Sequence, residues 1–129
     1  MKLKDIQLAA AAIGGAIGWF LGGFDGMLYA LVAFSAADYV SGVASAVVRH
    51  EVSSKIGFKG IIRKVLIFTL VGIAHIIDRS LLDGGGAIRA AVILFYLGNE
   101  GVSLLENAAE IGLPIPDKLK NILAGLKNH

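Results

Sequence analysis

Residues 27–48, MLYALVAFSAADYVSGVASAVV, are apolar over 22 positions except for one acid, Asp38, and scattered serine and tyrosine residues. A helix rises about 1.5 Å per residue, so this stretch is long enough to cross the roughly 30 Å core of a bilayer. It therefore predicts a membrane-spanning helix that buries a single carboxyl group.

Three further stretches have the same character. Residues 6–24 carry no charge over nineteen positions before Asp25, residues 61–82 have an uncharged centre, and residues 87–111 form a fourth segment. We predict one all-α integral membrane domain over 1–129 with four transmembrane helices. A three-span form with the first or fourth segment on the membrane surface is the alternative. A secretory signal peptide is disfavoured because no polar mature domain follows it.

The C-terminal segment differs from the spans. Pro114 and Pro116 interrupt the fourth helix, since each proline pushes the preceding residue towards an extended conformation. Leucine and isoleucine then recur at helical spacing over residues 117–127, with Lys118, Lys120 and Lys127 beside them. We predict a short amphipathic helix that meets anionic lipid headgroups, as a surface anchor or a contact element.

The composition supports the membrane class and excludes others. The 129 residues are 56% apolar and 17% charged, with a mean hydropathy of +0.73, whereas soluble domains carry about a quarter charged residues. The longest connection, residues 49–60, is too short for a catalytic domain, and the familiar catalytic and nucleotide-binding motifs are absent. We expect no enzyme, no metal and no cofactor. A net charge of +2 without a basic run argues against nucleic acid as a partner.

The basic residues predict an orientation. With both termini in the cytoplasm, ten lysine and arginine residues lie on the inner side, and two, Arg79 and Arg89, lie on the outer side. This bias predicts a multi-pass protein with its N- and C-termini inside. Arg63 and Lys64, at the start of the third span, are expected to extend to the nearby interface.

Small residues recur along the first span. Gly14, Gly18, Gly22 and Gly26 are spaced by four, which places them on one helix face and permits close helix association in lipid. The face is predicted to pack either within one chain or between copies.

The second and third predicted spans also contain ionisable side chains: Asp38 in the second, and His75 with Asp78 in the third. Burying an acid at mid-depth costs about 2.5–3.5 kcal/mol, so Asp38 needs protonation, water or a partner such as Ser41, Tyr39, Lys64 or His75. We predict either a switch between two assembly states or a structural acid bonded within one bundle. His75 and Asp78 are three residues apart and are expected to lie on one face, where they could form a pair.

The fourth segment carries a polar stripe. At about 100° per residue, its polar side chains fall within an arc of roughly 120°. The stripe consists of Asn99, Glu100, Ser103, Glu106, Asn107 and Glu110. It is predicted to face other helices, a water-filled lumen or the cytoplasmic interface, because it cannot face lipid tails.

In chain order, several short motifs resemble the phage lysis and toxin-secretion holins of Gram-positive phages and clostridial toxin loci. They are GFDG at 23–26, the Asp38, Tyr39, Ser41, Gly42 group, the basic loop 53–60, His75 with Asp78, the polar residues of 99–107, and GLPIPDKL at 112–119. The resemblance implies a homo-oligomer in the host cytoplasmic membrane that assembles lesions and releases an endolysin or a toxin. A monomer of packed helices cannot pass a folded enzyme, so many copies are required.

Two other classes fit four short helices. A small proton-coupled multidrug exporter also has an intramembrane acid, although usually in its first helix, and exporters show little charge bias. A membrane adaptor or anti-holin that forms no hole is the other alternative.

Overall fold

The computed structural model describes residues 2–127 and contains five helices. They are α1 (Leu3–Leu21), α2 (Gly26–Val48), α3 (Ser54–Ser80), α4 (Ala87–Ile111) and α5 (Asp117–Lys127). The predicted all-α class is confirmed. The short connections make the first four helices run alternately up and down. Their loops define two ends, which we name the Asp25 end and the Arg49 end.

The helix boundaries follow from local chemistry. Asp25 begins α2 as its N-cap, because its carboxylate accepts a hydrogen bond of 2.9 Å from the Leu28 amide. Gly22 ends α1 and Gly112 ends α4 in the left-handed conformation, with φ of 88° and 106°. The third helix begins at Ser54, seven residues before the predicted span starts, so it takes in much of the basic loop.

In residues 2–127, three helices are long and apolar enough to cross a membrane: α2, α3 and α4. The first helix is outside this set because its first turns carry Lys4, Asp5 and Gln7. A fourth span along α1 therefore stays a prediction. Many large apolar side chains on the long helices are exposed, as expected for a surface that faces lipid.

The apolar core occupies the half of the bundle nearest the Asp25 end. Leu28 and Leu31 of α2, Ile67 and Val71 of α3, and Ile93 of α4 are almost completely buried against one another. The fourth helix is central, since it packs against α2, α3 and α5. In contrast, α1 packs on α3, where the Phe20 ring covers Gly72.

The last helix folds back along α4. Its Leu123 side chain is 9% exposed and packs over Gly101 near the middle of α4, a position that the Phe34 ring also approaches. Of the two predicted roles of α5, a surface anchor or a contact element, the contact is the one observed. The apolar side chains of Leu119 and Ile122 remain exposed. The Lys127 side chain, named above as a headgroup contact, lies outside the described residues.

Candidate functional site

Four charged side chains from three helices meet near the middle of the bundle, and we name them the central ion cluster: Asp38, Arg63, Lys64 and Glu100. Lys64 Nζ lies 2.7 Å from Asp38 Oδ2 and also donates to Glu100 Oε2. Arg63 Nη1 donates to Glu100 Oε1 at 2.9 Å. The two acids and two bases balance in charge, so the cluster avoids an uncompensated charge at membrane depth.

Burial within the cluster is uneven. The Glu100 side chain is completely buried and the Lys64 side chain is 14% exposed, whereas the Arg63 side chain is 48% exposed. The expectation that Lys64 extends to the interface is wrong, because its ammonium group lies between two carboxylates of α2 and α4. Of the four partners suggested for Asp38, Lys64 makes the ion pair.

Asn107 extends the polar network from Asp38. Its Nδ2 lies 3.1 Å from Asp38 Oδ1, 3.2 Å from the Asp38 carbonyl and 3.0 Å from Ser41 Oγ. Ser41 in turn donates to the Asp38 carbonyl at 3.0 Å. The amide therefore holds α4 against α2 at the level of the acid. Tyr39, the remaining α2 candidate, donates instead to the Gly57 carbonyl at 3.3 Å.

A second polar contact lies nearer the Arg49 end. Ser45 Oγ donates to Glu110 Oε2, and Arg49 Nη2 lies 3.5 Å from the same oxygen. Arg49 also approaches Glu51 at 3.3 Å. Polar groups thus continue along the interface between α2 and α4, from the middle of the bundle to the Arg49 end.

The polar stripe on α4 divides between two sides. Glu100, Ser103, Asn107 and Glu110 face α2 and α3, where they meet the groups described above. Glu106 is exposed and lines a groove shared with α5, and Asn99 is half-buried. Of the three environments predicted for the stripe, contact with other helices is the one observed within a single chain.

A cavity of about 320 Å³ connects the central ion cluster with the α2–α3 loop. Its walls include Asp38, Lys64 and Asn107 at the inner end and Arg49 and Ser53 at the loop. The space is large enough for several water molecules, and it offers them more than the two to four polar partners that each requires. The cluster is therefore open towards the Arg49 end through a cavity whose walls are partly polar and partly apolar.

At the Asp25 end, a buried arginine ties three segments together. Arg89, in the first turn of α4, donates from Nε to the Leu21 carbonyl at 2.7 Å and from Nη2 to the Gly23 carbonyl at 3.0 Å. Its Nη1 lies 2.7 Å from Asp25 Oδ2. This hydrogen bond lowers the pKa of the Asp25 carboxyl below its ordinary value, against the opposing effect of partial burial.

Sequence reasoning missed the Arg89 contacts, because it counted this residue only as an outer charge. A signal was present, since an arginine in the first turn opposes the helix dipole and needs nearby acceptors.

The predicted His75–Asp78 pair is wrong. The two Asp78 carboxylate oxygens accept hydrogen bonds of 3.0 and 2.8 Å from the backbone amides of Ile88 and Arg89, and so cap α4. The His75 ring lies beside Gly22 instead, where an added Cβ would meet Nδ1 at 2.7 Å. Gly22 is thus required both for its positive φ and for this close approach.

The predicted glycine row is not one continuous helix face. Because α1 ends at Leu21, Gly22 is its C-cap and Gly26 is the first residue of α2. Gly18 packs under the Phe24 ring, while Gly14 and Gly26 have open space around them. Among the described residues, the row therefore splits into two packed positions, Gly18 and Gly22, and two open ones, Gly14 on α1 and Gly26 on α2.

Across residues 2–127, no group of three or more His, Asp or Glu side chains is arranged to hold a metal ion.

Comparison with known proteins gives a family and several relatives. A family model described as the bacteriophage holin family matches residues 15–128. A probable holin of Bacillus phage phi105 is 33% identical over 116 residues, covering 90% of this chain and 79% of the phage protein. No solved structure matches.

Two bacterial relatives are more similar in sequence. An uncharacterized protein of Listeria innocua is 42% identical over 118 residues, covering 92% of this chain and 84% of its own. An uncharacterized 14.9 kDa protein of Clostridium perfringens, encoded in the nagH 3′ region, is 38% identical over 126 residues and covers 98% of this chain and 96% of its own.

Proposed function

We propose that this chain, which belongs to the bacteriophage holin family, acts as a holin: it accumulates in the cytoplasmic membrane and oligomerises into holes that release an endolysin or a toxin. The observation that carries the proposal is the family match, which extends over α2 to α5 and part of α1. The phage relative named a probable holin supports the same role.

Physical considerations require assembly for this function. The interior of one chain is filled by apolar side chains at the Asp25 end and by the central ion cluster at mid-depth. No passage for a folded enzyme can form within four packed helices. The hole must therefore lie between copies, and its wall must present polar groups to water.

The central ion cluster is suited to supply those polar groups. In one chain its charges neutralise one another, which lowers the cost of holding them in the membrane. We propose that assembly separates α3 from α2 and α4, so that Asp38 and Glu100 face the water-filled lumen. The exposed Arg63 would then be the first cation to leave the cluster, since its side chain is already 48% exposed.

The orientation completes the proposal. Both termini lie in the cytoplasm, α1 to α4 all cross the membrane, and the Arg49 end with its lysines faces the cytoplasmic leaflet. There Lys118 and Lys120 on α5 meet anionic headgroups. Single cysteines at positions 3, 56 and 84 of this naturally cysteine-free chain test this, because an impermeant maleimide added outside should label only position 84.

Release of cargo from liposomes tests the function directly. Purified protein should release both a small dye and a folded enzyme of endolysin size from vesicles that contain anionic lipid. Release of ions or dye alone would contradict a holin role and favour a small exporter. If the protein releases nothing by itself but changes the release that a second holin causes, it acts as an anti-holin.

A further inference from the structure

A row of basic side chains follows one face of α3 from its first turn. Lys55, Lys59 and Arg63 are spaced by four residues, so they fall within an arc of about 80°, and all three are exposed. Like charges at this spacing repel one another, and α3 has no acid before Asp78 that could neutralise them. The row therefore favours an anionic partner from outside the helix.

The row has hydrogen-bond donors to offer such a partner. A guanidinium carries five N–H donors and keeps its charge, and among the described residues Arg63 makes one hydrogen bond, from Nη1 to Glu100 at 2.9 Å. Its side chain is 48% exposed. In the same part of the chain, no ion pair includes Lys55 or Lys59. Because lipid tails contain no acceptors, these donors need an acceptor at the membrane interface.

The length of α3 places the row at the level of the headgroups. Its 27 residues extend about 40 Å, close to the roughly 40–45 Å of a bilayer with both headgroup regions. With the hydrocarbon core starting at Ile61, the start of the predicted span, Lys59 lies about 3 Å outside the core and Arg63 about 3 Å inside it. Long basic side chains extend from such depths to the headgroups, so both can reach one phosphate.

The same face of α3 becomes apolar deeper in the bundle. Each residue of the basic row is followed seven positions later by an exposed apolar side chain: Ile62, Leu66 and Leu70. Leu70 also begins an apolar groove of about 420 Å³ between α3 and α4. A charged end followed by an apolar track matches an amphiphile, whereas a free anion would use only the charged end.

We infer that Lys59 and Arg63 bind the phosphate of an anionic phospholipid and that one of its acyl chains lies along Leu66 and Leu70. Under the orientation proposed above, this lipid belongs to the cytoplasmic leaflet. Its phosphate gives Arg63 an anionic partner other than Glu100. Under the proposed holin function, on which this last step rests, Arg63 can then leave the central ion cluster without becoming an unpaired cation.

Fluorescence quenching by brominated lipids tests the site. The chain has a single tryptophan, so Ile62→Trp in a Trp19→Phe background places the only indole beside the basic row. The variant is reconstituted in phosphatidylcholine vesicles that contain a small fraction of brominated phosphatidylglycerol or brominated phosphatidylcholine. A basic residue near the surface changes the affinity for anionic lipid about fivefold, so the glycerol lipid should bind at least about fivefold more tightly at this position.

A second tryptophan position controls for a general preference of the protein. Val40→Trp in the same background lies on α2, where it is exposed and where the helix has no basic residue. Both brominated lipids should quench it equally. Equal quenching by the two lipids at Ile62→Trp would overturn the inference, and so would an equal preference for phosphatidylglycerol at both positions.

Charge variants in the Ile62→Trp chain identify the residues that bind. Lys59→Gln and Arg63→Gln should each lower the preference about fivefold, whereas Arg63→Lys keeps the charge and should retain most of it. Lys59 is exposed and outside the central ion cluster, so its variant tests the site even if Arg63→Gln does not fold. Lys118→Gln, on an exposed position of α5, is the matched control and should change nothing.

Two results with these variants would contradict a lipid site at the row. An equal loss in Lys118→Gln and Lys59→Gln would show a general effect of surface charge. Displacement of the brominated lipid by millimolar inorganic phosphate would show that a free anion fills the site without the apolar track.

The lipid site and the holin function can fail separately. Release of folded enzyme by the wild-type chain, without any lipid preference at Ile62→Trp, would disprove the site and leave the function standing. A clear preference that depends on Lys59, without release of folded enzyme, would do the reverse.

Discussion

Replacing Lys64 with methionine should destabilise the protein far more than any exposed lysine replacement. The variant leaves Asp38 and Glu100 at mid-depth without the ammonium that lies 2.7 Å from Asp38 and also contacts Glu100. Arg63 still reaches Glu100 at 2.9 Å, but it makes no ion pair with Asp38. The variant therefore has an uncompensated buried acid.

The expected loss is about 3–5 kcal/mol in the free energy of unfolding, the usual cost of removing one partner from a buried pair. This corresponds to roughly a hundred- to several-thousand-fold change in the unfolding equilibrium constant. Methionine has a similar length to lysine, so the loss arises from charge and hydrogen bonding rather than from a cavity. Unfolding by SDS in mixed micelles, followed by circular dichroism, measures it.

Two controls make the result interpretable. Lys59→Met, on an exposed position of the same helix, should change the unfolding free energy by less than about 0.5 kcal/mol. The triple variant Asp38→Asn, Lys64→Met, Glu100→Gln should recover much of the loss, because no charge remains buried and the half-exposed Arg63 can reach water. Two results would refute the reasoning. One is a Lys64→Met variant as stable as the wild type, and the other is a triple variant that is no more stable than Lys64→Met.

Three further predictions concern other parts of the bundle. Asp38→Asn should change the time of host lysis at equal expression, because it leaves Lys64 with one carboxylate. Unchanged timing would mean that Asp38 has only a structural role in helix packing. Gly101→Leu should displace α5, since a Cβ there would lie 2.9 Å from Leu123, and proteolysis after residue 112 should become faster. The Asp25–Arg89 pair should lose its contribution to stability as the pH falls below about 3.8. Arg89→Gln should reduce this dependence in acid titrations of stability, and the part that remains comes from the Leu28 amide bond to Asp25.

The sign of the last prediction follows from the pKa of Asp25. This pKa is lower in the folded chain than its ordinary value of 3.8, because the Arg89 hydrogen bond favours the carboxylate. The stabilisation is therefore complete above the unfolded pKa and decreases as the pH falls through the folded one. Its size is modest, since the Asp25 side chain is 46% exposed and solvent screens the pair.

The membrane-spanning helices could be read from the sequence because lipid imposes a local rule. A run of about twenty residues must be largely apolar, and that rule identifies the position of α2, whose single charged residue is Asp38. It left the fourth segment open, because four charged residues interrupt α4. It also singled out Asp38 as a group that needs compensation. It could not assign the partner, because Lys64, Tyr39 and Ser41 are all near in sequence or depth, and helix rotation decides between them.

The two wrong predictions, for the His75–Asp78 pair and for Lys64, have the same cause, because contacts between helices depend on how the helices pack. The His75–Asp78 spacing places both residues on one helix, yet Asp78 finds better donors in the first turn of α4, which only tertiary packing brings near. The prediction that Lys64 extends to the interface considered its distance from the interface, and although Lys64 was also a candidate partner for Asp38, the sequence did not point to its contact with Glu100. Ion pairs between helices depend on which helix is central, and sequence spacing within one helix carries no information on that.

Under the proposed holin function, the distribution of polar groups limits how a hole could form. Water can approach the central ion cluster from the Arg49 end through a cavity of about 320 Å³. Towards the Asp25 end it would meet Leu28, Leu31, Val71 and Ile93, which are almost completely buried. Rotation of one helix in place would leave this apolar half closed. A lesion that passes a folded protein therefore requires the chains to line a space between copies, with the central ion cluster hydrated from the Arg49 end before the apolar half separates.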